Sequence, residues 1–340
     1  MTTEYVALGD SYAAGVGAGA RRNVCWRGEG GYPVLVAARL GRGVAYQACL
    51  GATIGDVTRN QVEALNAQTS IVTLTVGGND VGFVPVLIAA AQPGWMSNSD
   101  TAIDNALIVL RGQLPGRLSA LYADVATRAS GADVLVTGYP RIFNGTDCNL
   151  ATFFSAHEMR RINDATDELN AVIAATASRA GFGFVPVANG FDGHAVCDGQ
   201  EWINGVAFPI EESFHPNPLG HAAYGDAVLA ALREAGHAMA SEPVGRDETD
   251  TLVTQGPCVP GSAPTFALPD LLSEASMRGA RDFGLDPGEI ARLAVALGPP
   301  ADGSAIPGEP GAEALAARNR LRELDAQARA TRGEMRMGGG

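Results

Sequence analysis

Two kinds of hydrophobic pattern alternate along the first two thirds of the chain. Short apolar runs rich in Val, Ile, Leu and Tyr fall at 4–8, 45–49, 70–77, 132–138 and 182–187, each bounded by turn-forming residues. Such runs read as buried strands. Between them, apolar residues recur at three- and four-residue spacing, the signature of helices with one buried face. PVLVAARL after residue 32, DVTRNQVEALNA with Asp56 suited to an N-cap, a stretch over about 101–130, SAHEMRRINDATDELNAVIAATASRA and NPLGHAAYGDAVLAALREAG are the helical segments. Strand–helix alternation of this kind predicts parallel βαβ units with helices on both faces of a sheet.

About five strands fit a flavodoxin-like three-layer α/β/α sandwich over residues 1–237. Beyond that point the pattern stops. Residues 238–265, including SEPVGRDETDTLVTQGPCVPGSAPT, are polar and broken by Pro and Gly, and read as a linker. Residues 266–340 carry two helical patterns separated by another Pro/Gly run, a helical C-terminal extension. The second has a thin apolar stripe at Leu315, Leu321 and Leu324 and no evident chemistry. A chain ending near residue 240 is expected to keep catalytic activity, because the candidate catalytic residues all precede the linker.

Composition narrows the function. A formal net charge of −13 argues against nucleic acid as a partner, because phosphate needs a basic surface. Every basic residue is Arg, which removes the P-loop lysine and Schiff-base chemistry. No apolar run reaches the roughly 20 residues that span a bilayer. The first strand begins within a few residues of Met1, leaving no room for a signal peptide, so the expectation is either a mature exported form or a cytoplasmic protein. The five cysteines contain no CxxC, which speaks against a structural zinc site. Cys258 lies in a Pro/Gly-rich stretch and reads as unpaired. The other four fit buried thiols or two disulfides equally well.

Candidate chemistry collects at the strand ends, where open α/β sheets bind ligands. Ser11 follows the first strand in YVALGDSYAAG, Gly51 the second in ACLGATIGDV, and Gly77–Asp80 the third in TLTVGGNDVGF. Singly, each reads as a turn. Together they offer a hydroxyl, an unhindered backbone N–H and the Asn79 amide. Of the five histidines, His157 reads as solvated, His194 and His237 lack a partner motif, and His221 lies inside a helix as a packing residue. His215 differs, because Pro216 and Pro218 fix its loop in EESFHPNPLG.

GDSY at 9–12, Gly51, GGND at 77–80 and HPN at 215–217 resemble, in order and spacing, the four blocks of the SGNH hydrolases, the GDSL esterase/lipase family. The resemblance covers about residues 4–237. Through GYPRIF, FDGH and EWI it is nearest to the exported actinomycete lipases, esterases and phospholipases, which implies an extracellular location. It implies a serine hydrolase of small-molecule or lipid carboxylic esters that uses no cofactor and no metal. Ser11 would be the nucleophile and His215 its base. The Ser11 N–H, the Gly51 N–H and the Asn79 amide would form the oxyanion hole, with Asp10 structural. It also implies the disulfides Cys25–Cys49 and Cys148–Cys197, while a third pair usual in that branch has no counterpart in LIAAAQPGWMSNSDTAI. Glu212 stands where the family has Asp three residues before the His. Either it orients His215 or the Ser213 carbonyl does, as in some relatives. The same residues would serve acyl transfer to an alcohol, and a non-enzymatic flavodoxin-like binding module is the alternative of a different class.

Overall fold

The computed structural model describes residues 4–21, 23–241, 244, 252–298 and 311–337; of the segments read as linkers, 242–243, 245–251 and 299–310 lie outside the described residues. Six parallel strands form one sheet: β1 (Tyr5–Gly9), β2 (Val44–Tyr46), β3 (Ile71–Thr75), β4 (Asp133–Thr137), β5 (Gly183–Val185) and β6 (Val253–Gln255), in the order β5-β4-β3-β1-β2-β6. The first five have the flavodoxin-like order. Helices α1 (Ser11–Ala14), α2 (Tyr32–Leu40), α3 (Ile54–Asn60), α4 (Phe83–Ala91), α5 (Ser99–Gly112), α6 (Leu114–Arg128), α7 (Ala156–Arg179) and α8 (Pro218–Glu234) connect and follow them. Helix α2 packs on α8, while α3, α6, α7 and α5 pack on one another, giving the two outer layers. Strands β1 and β3 are buried along their whole length, as strands covered on both faces must be.

Several boundaries differ from the sequence pattern for local reasons. Thr53, not Asp56, caps α3; Asp56 is the third helical residue and completes a capping box with Thr53. The stretch 101–130 is two helices that meet at Gln113, with Pro115 in the first turn of the second. The apolar segment Phe83–Ala91 is a helix that the strand-first reading passed over.

The linker expected at 238–265 is corrected by β6, which pairs in register with β2 through Val44–Val253 and Tyr46–Gln255. Three residues are too few to show a period, and a buried arginine adds to the pairing that holds the segment. Arg27 is completely buried and donates to the carbonyls of Gln47 and Ala48 on one side and of Gly256 and Pro257 on the other. Burial lowers its pKa to about 10.

A second, smaller core joins the C-terminal helices to the main domain. Leu321, Leu324 and Ala328 from Ala312–Met337 meet Ala280, Leu285 and Ile290 from the helices Glu274–Asp282 and Pro287–Leu297, against Trp95 and Phe153. Leu315, expected in the same stripe, is exposed. Arg329 pairs with Glu158 at 2.8 Å and with Asp325 at 2.9 Å, and donates to the Phe153 carbonyl.

Candidate active site

The site is built at the carboxyl ends of β1, β2 and β3, beside the point where strand order reverses. Asp10 ends β1 and caps α1, its Oδ1 accepting the Tyr12 N–H at 3.0 Å. Its Oδ2 accepts the Tyr139 hydroxyl at 2.6 Å, and the Tyr139 oxygen accepts the Gly78 N–H at 3.2 Å. Burial pushes the Asp10 carboxyl up to about 7 against those hydrogen bonds. Asp10 is thus the clamp between the first and third strand ends, and Ser11 is the first residue past it.

Ser11 Oγ lies 2.7 Å from His215 Nε2, and His215 Nδ1 lies 3.0 Å from the Ser213 carbonyl. A carbonyl only accepts, so Nδ1 carries the proton, Nε2 accepts, and the Ser11 hydroxyl donates. Among the described residues no hydrogen bond joins the Glu212 carboxylate to His215; burial and the neighbouring Glu211 raise the Glu212 pKa. The His215 pKa falls to about 4, chiefly through burial, so the ring is neutral at pH 7.

The backbone aims this ring at a cost. Phe214 has φ +59°, a left-handed conformation that costs a bulky residue on the order of 1–3 kcal/mol. Three contacts hold it there: its N–H donates to the Asn204 carbonyl at 3.0 Å, its carbonyl accepts the Tyr12 hydroxyl at 2.9 Å, and its ring packs among Phe143, Phe154 and Phe266. The Asn217 side chain accepts the Leu219 and Gly220 N–H groups, starting α8 immediately after the histidine loop.

Gly51 has φ +72° and belongs to the same cleft as Ser11, Asn79 and His215. Asn79 Nδ2 donates to the Ala52 carbonyl at 3.0 Å, which leaves its second amide hydrogen for another acceptor. Asp80 accepts the Ile54 N–H at 2.9 Å, fastening the GGND loop to α3. Among the described residues the Ser11 and Gly51 N–H groups make no hydrogen bond. The sequence therefore named Ser11, Gly51, Asn79 and His215, and these converge, while Tyr12, Tyr139 and Asp80 went unnoticed as their supports. No spacing rule links them, because they act across 26 to 202 residues of chain.

The other histidines lie elsewhere. His157 pairs with Asp100, His194 stacks on Trp202, and His237 meets Asp133. His221 is fully buried, its Nε2 3.0 Å from the Val16 carbonyl. Cys148 and Cys197 are bonded, and Cys25 is within bonding reach of Cys49. Cys258, expected to be unpaired, also lies within bonding reach of Cys25, and the three sulfurs are within 4.8 Å of one another; Cys25 can bond only one of the two.

The rest of the cleft is mostly apolar, with Leu50, Phe83, Val84, Leu87 and Leu169 on its walls beside Thr166, Thr265 and Glu211. Pro264, Thr265 and Phe266 also line it, so part of the cleft wall lies beyond residue 240 although Ser11, Gly51, Asn79 and His215 all precede it.

The family described as GDSL-like Lipase/Acylhydrolase matches residues 7–223. A lipase of Streptomyces rimosus is 39% identical over 227 residues, 65% of this chain and 84% of that protein. Lipase 1 of Streptomyces coelicolor is 37% identical over 224 residues, 64% of this chain and 82% of that protein. The crystal structure of the extracellular Streptomyces rimosus lipase superposes with a TM-score of 0.63 at 35% identity, covering 67% of this chain and 99% of that one. That of phospholipase A1 from Streptomyces albidoflavus gives 0.62 at 35% identity, covering 66% and 98%. The chain belongs to the GDSL-like lipase/acylhydrolase family and is a carboxylic ester hydrolase.

Proposed function

We propose that the protein hydrolyses carboxylic esters with an apolar acyl group, lipid esters included, through an acyl-enzyme on Ser11. The observation that carries this reading is the chain of two hydrogen bonds, Ser11 Oγ to His215 Nε2 at 2.7 Å and His215 Nδ1 to the Ser213 carbonyl at 3.0 Å. As Oγ attacks the ester carbonyl carbon, its proton passes to Nε2. The Ser213 carbonyl holds the tautomer and stabilises the imidazolium, the part an aspartate plays in a triad. The oxyanion is met by the Ser11 N–H, the Gly51 N–H and Asn79 Nδ2, each donor worth ~3 kcal/mol of transition-state stabilisation. The C–O bond then breaks, and His215 returns the proton to the leaving alcohol. Water, deprotonated by the same ring, releases the acid and restores Ser11.

The apolar cleft favours an acyl chain over a charged group. The protein acts outside the cell, a reading supported by the Cys148–Cys197 bond and by the likeness to an extracellular lipase.

Ser11→Ala tests the assignment. Turnover of p-nitrophenyl butyrate should fall by about 10⁵-fold, since only binding and oxyanion contributions remain. A fluorophosphonate should add to Ser11 of the unaltered protein, read by peptide mass mapping. A folded Ser11→Ala protein with near-normal turnover would show that another group is the nucleophile.

A further inference from the structure

The segment Gly256–Phe266 follows β6 and passes directly over the strand-end loop that holds Gly51. Its contacts there are backbone to backbone. Gly261 N–H donates to the Leu50 carbonyl at 3.1 Å, and Ala263 N–H donates to the Gly51 carbonyl at 3.0 Å. Between them, Ser262 donates its Oγ at 2.8 Å and its N–H at 3.2 Å to Asp56, the capping-box acid of α3. The Leu50 carbonyl and the Gly51 N–H belong to one planar peptide unit. A hydrogen bond to that carbonyl therefore fixes the direction in which the N–H points. Gly261 is seated so closely that a Cβ there would run into the Gly51–Ala52 backbone.

The same segment then turns into the cleft. Phe266 is buried, with its ring 4.9 Å from that of Phe214 at 82°, and it shares the cleft with Ser11 and His215. The family match ends at residue 223, ahead of this segment.

We infer that Gly261–Phe266 is a working part of the esterase site: Gly261 is a positioning residue that aims the Gly51 N–H at the oxyanion, and Phe266 is the specificity residue that limits acyl-chain length. The inference rests on the reading of Ser11 and Gly51 given above. Its physical basis is that one short strap both orients a donor and closes the apolar wall. Removing the Phe266 ring opens space for further methylenes beside Phe214, and each methylene in an apolar pocket changes discrimination by roughly tenfold or more.

The test uses the full-length protein and p-nitrophenyl esters from acetate to dodecanoate. Phe266→Ala should raise kcat/KM for decanoate relative to acetate by roughly tenfold or more. Gly261→Ala, by tilting the Leu50–Gly51 peptide, should lower kcat about 100-fold while KM changes little, the loss expected for one misaimed oxyanion donor. A strap with a merely structural role would scale every ester equally in Phe266→Ala and would leave kcat of folded Gly261→Ala unchanged. An unchanged acyl-length profile in folded Phe266→Ala, or an unchanged kcat in folded Gly261→Ala, overturns the corresponding assignment; if Gly261→Ala does not fold, the acyl-length profile decides the role of the strap. An unaltered protein that cleaves no ester, or a Ser11→Ala protein that still does, would instead overturn the parent reading, and the two failures are separately visible.

Discussion

The tail divides into two regions that are attached in opposite ways. The strap from Val253 to Phe266 has no amphipathic period, is joined to the sheet by backbone pairing and by the buried Arg27, and ends inside the cleft. The helices Glu274–Asp282, Pro287–Leu297 and Ala312–Met337 follow a helical pattern, are joined by side chains to Trp95 and Phe153, and among the described residues contribute nothing to the cleft wall. Regular pattern and nearness to the chemistry are thus inversely related in this tail. A helix buries a face wherever a complementary surface exists, whereas an irregular segment is kept in place only by specific partners for its N–H and C=O groups. Those partners here include the carbonyls of Leu50 and Gly51.

The largest effect that would test this division is a cavity in the outer core. Leu321 is fully buried among the C-terminal helices, so Leu321→Ala should cost ~2–5 kcal/mol in urea unfolding. Because that core is separate from the cleft, kcat and the acyl-length profile should stay as in the unaltered protein. A shift in the profile would mean that the helices brace the strap.

Acid probes the other side of the comparison, the hydrolase core. Burial lowers the His221 pKa to about 4, and the pKa of an unfolded histidine is about 6.5. A depressed folded-state value means that the contribution is fully present above pH ~6.5 and is lost as pH falls through about 4. The size of that loss approaches ~3 kcal/mol. Thermal unfolding between pH 7 and pH 4 should show it, and His221→Gln, which keeps a donor for the Val16 carbonyl, should flatten the slope. Equal slopes in both proteins would place the acid sensitivity elsewhere.

The smallest effect concerns the loop before His215. With the Ser213 carbonyl on Nδ1, Glu212→Ala should lower kcat by less than roughly tenfold, under ~1.4 kcal/mol. A fall of several hundredfold in a folded protein would make Glu212 the third member of a triad.

Much of the hydrolase core was legible because its information is local. The alternation of period-two and period-3.6 segments predicts a doubly wound sheet. The carboxyl ends of its central strands must hold Ser11, Gly51 and Asn79, since chain order fixes which residues come after each strand. His215 was marked by the prolines that stiffen its loop. What only the tertiary structure decided was which distant groups meet. Asp10 finds Tyr139, Arg27 finds the carbonyls of residues 256 and 257, Cys258 comes to the Cys25–Cys49 pair, and Ser213 rather than Glu212 faces the imidazole. Carbonyls and N–H groups are the same at every position, so a sequence does not mark which of them will be partnered. Packing settles that choice, since a buried polar group left unpaired costs more than most chain paths can offset.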